Sequence, residues 1–284
     1  MKPKRIRANA ILEDFRTGSS QPALVDANDG KRYVVKWKCT GEGPAALATD
    51  WITLRLAKAA GIPIPHSSCI LVEPSLGSTT RNGELRDVIH RSMGINLAIE
   101  YLPESTVYTV NDKQEVEESL RRRIFLFDLL MVNVDRIDSN PNMLISKGKL
   151  YCIDFSASMA VKSLITGNSV SESALLPIIR RHPFYAPGTS PESFEIASAQ
   201  VDKIVKSVPE GWLKELGTDT PSIWSRIMNG LTGMFVDSSV ILEKRLKTLS
   251  SLTLESREEF HSRTRRNRES FEAAMKKWGY ERKL

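Results

Sequence analysis

One junction constrains this chain more than any other feature: the apolar run RRRIFLFDLLMV leads directly into NVDRIDSNPNML at residues 133–144. The first half is fit for burial, whereas the second carries two acids, an arginine and three asparagines. Asn, Asp and Ser favour turns because their side chains hydrogen-bond nearby backbone groups. A turn alone does not explain so many carboxylates and amides. The junction therefore predicts a functional polar loop held on a buried support.

The length and composition narrow the class of protein. At 284 residues, the chain is long enough for two domains or two lobes around a cleft. Its 41% hydrophobic and 26% charged residues are typical of a globular protein and exclude disordered and fibrous classes. Three widely spaced cysteines, Cys39, Cys69 and Cys152, argue against a disulfide framework or a zinc cluster. They indicate a reducing compartment.

The start of the chain is basic but lacks the apolar segment of a signal peptide, and no apolar run reaches the length of a membrane span. We therefore expect a cytoplasmic protein that does not enter a membrane. The net charge of +6 is uneven, because residues from Leu242 onward hold 12 Lys and Arg against 7 Asp and Glu. We expect an amphipathic helical tail at about 240–284. Nucleic acid or an acidic partner would bind only through this tail.

The secondary-structure pattern predicts an α+β protein. VDANDGKRYVVKW resembles two strands joined by an NDG turn, the first ending near Leu24 and Val25. LATDWITLRLAKAAG predicts a helix that stops at Gly61, and INLAIEYL predicts a further strand. EVEESLRRRIFLFDLLMV predicts a long helix, followed by two short strands around SKGK. Further helices are expected from Ser190, in PEGWLKEL, in PSIWSRIMNGL and from about Val240.

Two local features suggest phosphate binding. Lys36 ends the apolar strand YVVKW, where a lone ammonium is costly unless it meets an anion, and Asp50 follows on the next helix. A surface lysine whose stem lies along apolar groups is the alternative for Lys36. Upstream, TGSSQP at residues 17–22 consists of small residues that would expose backbone N–H groups to a phosphate. This loop matches neither GxGxxG nor a P-loop, so it carries little weight alone.

The opening junction supplies a more specific pattern. Asn140 follows Asp135 by five residues, and Asp154 ends the second short strand. In protein-kinase sites, a loop Asp handles the hydroxyl proton, an Asn five residues later binds magnesium, and a second Asp also binds magnesium. Carboxylate and amide oxygens suit Mg²⁺, which phosphates and water also coordinate. The spacing therefore predicts a loop that handles a metal and a proton.

Taken in order, four stretches make the chain resemble a HipA-like kinase, a bacterial atypical kinase related in fold to protein kinases and phosphoinositide kinases. They are GSSQP before a strand, RYVVKW, the acid before AKAAGIPIP, and NVDRIDSNPNMLI with KLYCIDFS. The resemblance covers roughly residues 15–156, with weaker similarity through RHPFY and VPEGWL. It implies a two-lobed protein-kinase-like fold, with a β-rich N-terminal lobe at 1–103 and an α-helical C-terminal lobe at 104–284.

The resemblance also implies a role for each matching residue. Lys36 would reach the α and β phosphates of ATP and pair with Asp50, Asp135 would be the catalytic base, and Arg136 would stabilise charge near the transferring phosphoryl group. The implied nucleotide-binding and Mg²⁺-binding residues are Gly18, Ser19, Ser20 and Gln21 over the phosphates, Glu100, Tyr101 and Leu102 beside the adenine, and Asn140 and Asp154 on the metal.

Two positions depart from the family pattern. The family usually has Glu in place of Asp50, and related kinases often carry His in place of Ile137. The shorter acid would loosen the lysine contact or require closure of the lobes, and Ile137 removes one polar group near the site. Lys36, Asp135, Asn140 and Asp154 together argue against an inactive relative.

We therefore expect an ATP- and Mg²⁺-dependent kinase that phosphorylates Ser or Thr of a protein. The resemblance also permits a toxin role with a separately encoded antitoxin. The family resemblance also permits autophosphorylation of Ser19 or Ser20, which would repel the nucleotide phosphates. Two alternatives stay open because fold does not set the substrate. One is a kinase-like nucleotide-binding module whose basic tail binds nucleic acid or a partner protein. The other is a small-molecule or lipid kinase.

Overall fold

The structure, a computed structural model, describes residues 6–15, 21–41, 43–217 and 219–252. The chain divides into two compact units, Met1–Leu249 and Ser250–Leu284. The first unit has a strand-rich N-terminal part and a helical C-terminal part, as the sequence predicts. The two-lobed kinase arrangement and its boundary at residue 103 stay predictions. Among the described helices, none combines the length and apolar character that a membrane crossing needs.

Five strands of the N-terminal part form a closed barrel in the order β1-β2-β3-β5-β4. Their bounds are β1 (Ile6–Asp14), β2 (Ala23–Ala27), β3 (Arg32–Lys36), β4 (Ser67–Val72) and β5 (Gly94–Glu100). Neighbours are antiparallel except β1 and β4, which close the barrel through a short parallel pairing of Ile6 with Ile70 and Arg7 with Leu71.

The predicted hairpin is the β2–β3 pair. Asp26 pairs with Arg32 at its end, and the Ala27 N–H donates to the Lys31 carbonyl at 3.0 Å. Gly30 occupies the turn at φ +79°, a conformation that other residues reach only with strain. The first strand extends to Ala27, slightly beyond the predicted end.

The barrel interior is apolar and one helix covers it. Inward-facing side chains such as Val25, Val35 and Ile70 are fully buried. Helix α2 (Gly83–Arg91) packs its own apolar stripe on this core, and the Asn82 side chain caps its first turn by accepting from the N–H groups of Glu84 and Leu85. The sequence analysis did not predict α2.

Helix α1 (Gly43–Ala59) lies between β3 and β4 in the chain and is buried on nearly all sides, which is typical of a helix packed between layers. It contacts β5 of the barrel and helices of the C-terminal part. Gly61 follows it at φ +76° and ends it, as predicted. Asp50, in the middle of α1, therefore lies where the two parts of the molecule meet.

The C-terminal part contains a small sheet in the order β6-β7-β8 and a set of helices. The strands are β6 (Thr106–Val107), β7 (Met143–Ser146) and β8 (Lys149–Cys152). The helices are α3 (Glu118–Met131), α4 (Met159–Thr166), α5 (Glu172–Ile179), α6 (Ser198–Lys206), α7 (Glu210–Lys214), α8 (Thr220–Val236) and α9 (Ser238–Ser251). Short 3-10 helices occupy Pro74–Thr79 and Val110–Glu115.

The helix predicted from Ser190 is wrong in its start, because α6 begins at Ser198 with Ala197 as its N-cap. Phe194 and Ile196 are both buried while Glu195 between them is exposed, so this segment follows a period of two. The Phe194 N–H donates to Ser238 Oγ at 3.1 Å, and its ring lies edge-on against Phe127. These contacts hold the segment extended. Helix α9 occupies the start of the predicted tail helix, and the rest of that prediction falls outside the described residues.

Candidate active site

A cavity of about 950 Å³ lies between the barrel and the C-terminal part. That volume is at the upper end of the range for small-molecule sites. It brings together most of the site residues predicted from the sequence: Lys36, Glu100, Tyr101, Leu102, Asp135, Asn140 and Asp154. Asp50 and Arg136 do not line it, and Gly18, Ser19 and Ser20 lie outside the described residues.

Lys36 is the central charge of this cavity. It ends β3, is 9% exposed, and its Nζ lies 2.7 Å from Asp50 Oδ2 and 2.7 Å from Asp154 Oδ1. Burial alone would lower the pKa of Lys36, but the two carboxylates outweigh burial and raise the pKa above its usual range. The lysine therefore stays protonated and can meet an anion entering the cavity.

Asp50 supports Lys36 from behind. It is fully buried, and its second oxygen, Oδ1, accepts from the Phe155 N–H at 2.8 Å. One carboxylate thus connects α1, the end of β3 and the segment after β8. Burial raises the pKa of Asp50, an effect that Lys36 only partly offsets.

Asp154 faces the cavity from the other side of Lys36. Burial acts to raise its pKa, but Lys36 and the hydrogen bonds from Ser156 outweigh burial and lower the pKa to about 2. The Ser156 hydroxyl and N–H donate to Asp154 Oδ1 at 2.7 and 3.2 Å. The backbone of Asp154 has φ +53°, a left-handed conformation that Asp tolerates better than most residues. Asp154 is thus an ionised, oriented carboxylate.

The polar loop presents Asp135 and Asn140 to the same cavity. Asn142 Nδ2 donates to Asp135 Oδ2 at 3.0 Å and fixes the orientation of that carboxylate. Asn140 Nδ2 and Asn142 Nδ2 each reach the Asp135 carbonyl at 3.4 Å. Sequence reasoning missed Asn142, although its place in the same NPN triplet as Asn140 was a usable signal.

Arg136 does not occupy the place expected of it. Its side chain is fully buried, its Nε donates to Asp128 Oδ2 at 2.5 Å, and its Nη1 donates to backbone carbonyls of 141, 142 and 153. The prediction that Arg136 stabilises charge near a transferring phosphoryl group is therefore not supported by its position. It holds the polar loop from behind.

The loop predicted over the phosphates is described only at its edges. The Phe15 N–H donates to the Pro22 carbonyl at 3.0 Å, which closes the loop at its base. Gln21, at φ +40°, offers its carbonyl to Trp37 Nε1 at 2.8 Å. Gln21 lines a neighbouring cavity of about 470 Å³, and Phe15 and Pro22 line the main one.

Some polar groups of the residues predicted beside an adenine already form hydrogen bonds within the protein. The Glu100 carboxylate binds Lys31 Nζ at 2.9 Å, and the Glu100 N–H donates to the His66 carbonyl at 2.8 Å. The Tyr101 N–H donates to the Arg32 carbonyl at 2.9 Å. A base bound here would have to use other backbone groups of this segment. Apolar side chains, including Val34, Ile99 and Leu144, form the walls.

The donor set fits a nucleotide-bound Mg²⁺ better than a site made by the protein alone. Within the described ranges, no three His, Cys, Asp or Glu residues cluster as a metal site. Asp154 and Asn140 nevertheless present hard oxygen donors to one cavity. Mg²⁺ usually takes one or two protein ligands and completes its octahedron with phosphates and water. The Lys36 ammonium, the Asp154–Asn140 pair and the separate Asp135 carboxylate line one cavity. This set of groups suits the binding of a metal-bound polyphosphate and a reaction at one of its phosphates.

The chain is similar to known proteins in sequence and in structure. The family model described as HipA-like kinase matches residues 8–234. The structure is similar to the crystal structure of the Helicobacter pylori proinflammatory kinase CtkA, with 11% sequence identity, a TM-score of 0.47, and coverage of 84% of this chain and 96% of that chain. No curated protein matches the sequence.

Proposed function

Since this chain belongs to the HipA-like kinase family, we propose that it is an ATP- and Mg²⁺-dependent kinase that transfers the γ-phosphoryl group to a Ser or Thr hydroxyl of a protein. The supporting observation is the arrangement around Lys36. Its ammonium bridges Asp50 and Asp154, while Asp135 and Asn140 line the same cavity.

In this proposal Lys36 binds the α and β phosphates, and Asp50 holds it in place. Asn140 and Asp154 would hold Mg²⁺, which neutralises charge on the phosphates when bound. Asp135, oriented by Asn142, accepts the proton of the acceptor hydroxyl. The hydroxyl oxygen bonds to the γ-phosphorus as the bond to the bridging β–γ oxygen breaks, and ADP leaves.

The Asp135→Ala variant tests this assignment. A general base contributes about 100- to 10,000-fold to the rate, so the variant should lose phosphoryl transfer while retaining ATP binding. The assay is transfer from labelled ATP to proteins of a cell extract, followed by identification of the labelled species. Asp138→Ala, in the same loop, is the matched control. Normal turnover by Asp135→Ala would show that the assigned base is wrong.

We further propose that the phosphorylated protein links the enzyme to growth arrest, with an inhibitor encoded separately. Expression of the wild-type chain should then slow growth, and the Asp135→Ala variant should not. Growth arrest that persists in this variant would contradict the toxin role without touching the kinase assignment.

The basic charge of the last residues favours a second candidate, a kinase-like module that binds nucleotide with little turnover and holds nucleic acid through its tail. Neutralising several phosphates makes nucleic-acid affinity fall steeply with salt. Nucleotide binding without turnover, together with a steep salt dependence of nucleic-acid binding, would favour this candidate over the kinase.

A further inference from the structure

We propose that Asp128 and His182 are positioning residues that anchor the polar loop from inside the protein and set the geometry of Asp135, Asn140 and Asp154. This inference rests on the proposed kinase function. Neither residue lines the cavity, and both are buried.

Asp128 is an acid in the middle of the apolar half of α3, with a fully buried side chain. A buried carboxylate is costly unless it is paired and fully hydrogen-bonded. Here Oδ1 accepts from Asn133 Nδ2 at 2.8 Å, and Oδ2 accepts from Arg136 Nε at 2.5 Å and lies 3.1 Å from His182 Nε2. Burial acts to raise the pKa of Asp128, but the Arg136 charge and the bonds from His182 and Asn133 keep it below the usual range.

The first connection runs through Asn133 to the proposed base. Asn133 Oδ1 accepts from the Asp135 N–H at 3.3 Å, and the Asn133 N–H donates to the Asp128 carbonyl at 2.9 Å. Val132, directly before Asn133, has φ +53°, a strained conformation for a β-branched residue. The surrounding contacts must maintain this backbone, and the Asp128–Asn133 bonds are among them.

The second connection runs through Arg136 to the two proposed metal-binding residues. Arg136 Nη1 donates to the Pro141 carbonyl at 3.2 Å, directly after Asn140. It also donates to the Ile153 carbonyl at 3.3 Å, directly before Asp154. One guanidinium thereby holds two segments that come from different parts of the chain. Asp128 orients that guanidinium.

His182 completes the anchor from a third segment. Its Nδ1 accepts from the Phe184 N–H at 3.0 Å, so Nε2 must carry the proton and donate to Asp128. The imidazole is therefore held neutral and in one tautomer. This assigns a role to the RHPFY stretch, in which His182 is buried although it touches no part of the cavity.

The test compares His182→Ala and His182→Gln with a core variant that leaves these hydrogen bonds intact. Phe194→Leu is suitable because the Phe194 ring packs on Phe127 of α3 and forms none of the Asp128 and His182 hydrogen bonds described above. His182→Ala should lower kcat about 10- to 100-fold with an unchanged KM for ATP, because a misplacement of about 1 Å can cost about 100-fold. His182→Gln, which retains a donor, should recover part of the loss. Phe194→Leu should keep kcat per folded molecule.

Hydrogen exchange of the amides at 133–142 provides a readout independent of turnover. Exchange there should quicken in His182→Ala and not in Phe194→Leu. If His182→Ala folds and keeps both wild-type kcat and wild-type protection of this loop, the anchor is refuted. If the wild type transfers no phosphoryl group but the loop still loses protection in His182→Ala, the kinase proposal fails while the anchor stands.

Discussion

Asp50 joins two groups that are distant in the chain, Lys36 14 positions away and the Phe155 N–H 105 positions away. Its Oδ1 and Oδ2 are each committed to one of them. The family resemblance implied Glu at this position, so that Asp would either loosen the lysine contact or require closure of the lobes. The 2.7 Å distance from Lys36 Nζ to Asp50 Oδ2 shows no loosening of this contact. The shorter side chain therefore suits this backbone.

Neither conservative change at Asp50 should be neutral. In Asp50→Asn one oxygen can still accept from Phe155, but an amide NH₂ would face the Lys36 ammonium, so kcat should fall about tenfold or more. In Asp50→Glu an extra methylene enters a fully buried site, which typically costs about 1–3 kcal/mol. Steady-state kinetics and urea unfolding separate the two effects. An Asp50→Glu variant as stable and active as the wild type would contradict this account.

His182 should make the stability of the fold depend on pH. Burial lowers its pKa, and Arg136 acts in the same direction, while Asp128 and Asp138 only partly offset this. In the unfolded chain its pKa is about 6.5. Below that value the unfolded chain takes up a proton that the folded protein does not. The free energy of unfolding therefore falls by up to about 1.4 kcal/mol for each unit by which the pH is lowered.

Urea unfolding at pH 7.5 and pH 5.5 tests this pH dependence. The wild type should lose more stability over this interval than His182→Gln, which has no group titrating at that position. Equal losses in the two proteins would show that His182 is not the group responsible.

At the scale of elements, α7 joins the barrel to the helices although it has only five residues. Trp212 is 1% exposed, its Nε1 donates to the Ile95 carbonyl at 2.8 Å, and its ring lies edge-on to Trp51 at 5.9 Å. Trp51 Nε1 in turn donates to Ser207 Oγ at 2.9 Å. These two indoles fix α1, and therefore Asp50, against the C-terminal part.

Trp212→Ala should destabilise the protein by about 3–5 kcal/mol, the usual cost of removing a buried aromatic side chain. Glu215→Ala, which removes the nearby contact with Lys38, should cost less than about 1 kcal/mol because Glu215 is 44% exposed. Chemical denaturation of both variants gives the comparison. Similar losses in the two would mean that α7 does not contribute through Trp212.

Several elements could be predicted from the sequence because their signals are local. The β2–β3 hairpin follows from NDG, and α1 and α3 follow from long apolar patterns and, for α1, a terminal glycine. Helix α2 is short and largely charged, but its buried Leu85, Val88 and Ile89 follow the helical spacing, so the sequence contained a signal for it that was missed. Helix α5 contains Pro177, which weakens its helical signal. The extended segment around Phe194 depends on contacts with distant residues that no local pattern contains.

The residues of the candidate site also fall into those that a local pattern predicts and those that depend on distant partners. Lys36, Asp135, Asn140 and Asp154 were found because type and spacing are local properties, and their convergence on one cavity is what the structure adds. Asp128 was missed, although an acid inside FLFDLLM poses the same question of a buried charge that Lys36 posed. Its partner His182 lies 54 residues away and could not be paired with it from sequence.

At the scale of the whole molecule, α9 supports the site from outside it. Arg245 Nη1 donates to the carbonyls of Leu129 and Leu130 at 3.0 and 2.8 Å, at the end of α3, and Arg245 also binds Glu172. A cation at a helix C-terminus satisfies carbonyls that lack intrahelical partners. The support of the polar loop therefore extends to residues beyond the end of the family match at 234.

Two truncations separate the contribution of Arg245 in α9 from that of the basic segment at residues 253–284. A chain ending at residue 252 retains Arg245 and all cavity-lining residues, so its kcat and KM for ATP should match the full chain. It loses nine Lys and Arg against six Asp and Glu, so any salt-dependent nucleic-acid binding should weaken. A chain ending at residue 237 removes Arg245 and the buried Leu242 and Leu249, and should unfold at lower urea. Loss of activity on ending at 252 would contradict this division.

The closed barrel also limits how another protein could attach to the N-terminal part. Each of its five described strands has a neighbour on both sides, so it offers few backbone groups to which a foreign strand could be added. The weakest pairing is that of β1 with β4, which spans only two residue pairs, so a partner that adds a strand would do so most easily there. An inhibitor that separated β1 from β4 would displace β1. Strand β1 leads directly into the loop that the Phe15–Pro22 hydrogen bond closes, so the displacement would also reach that loop.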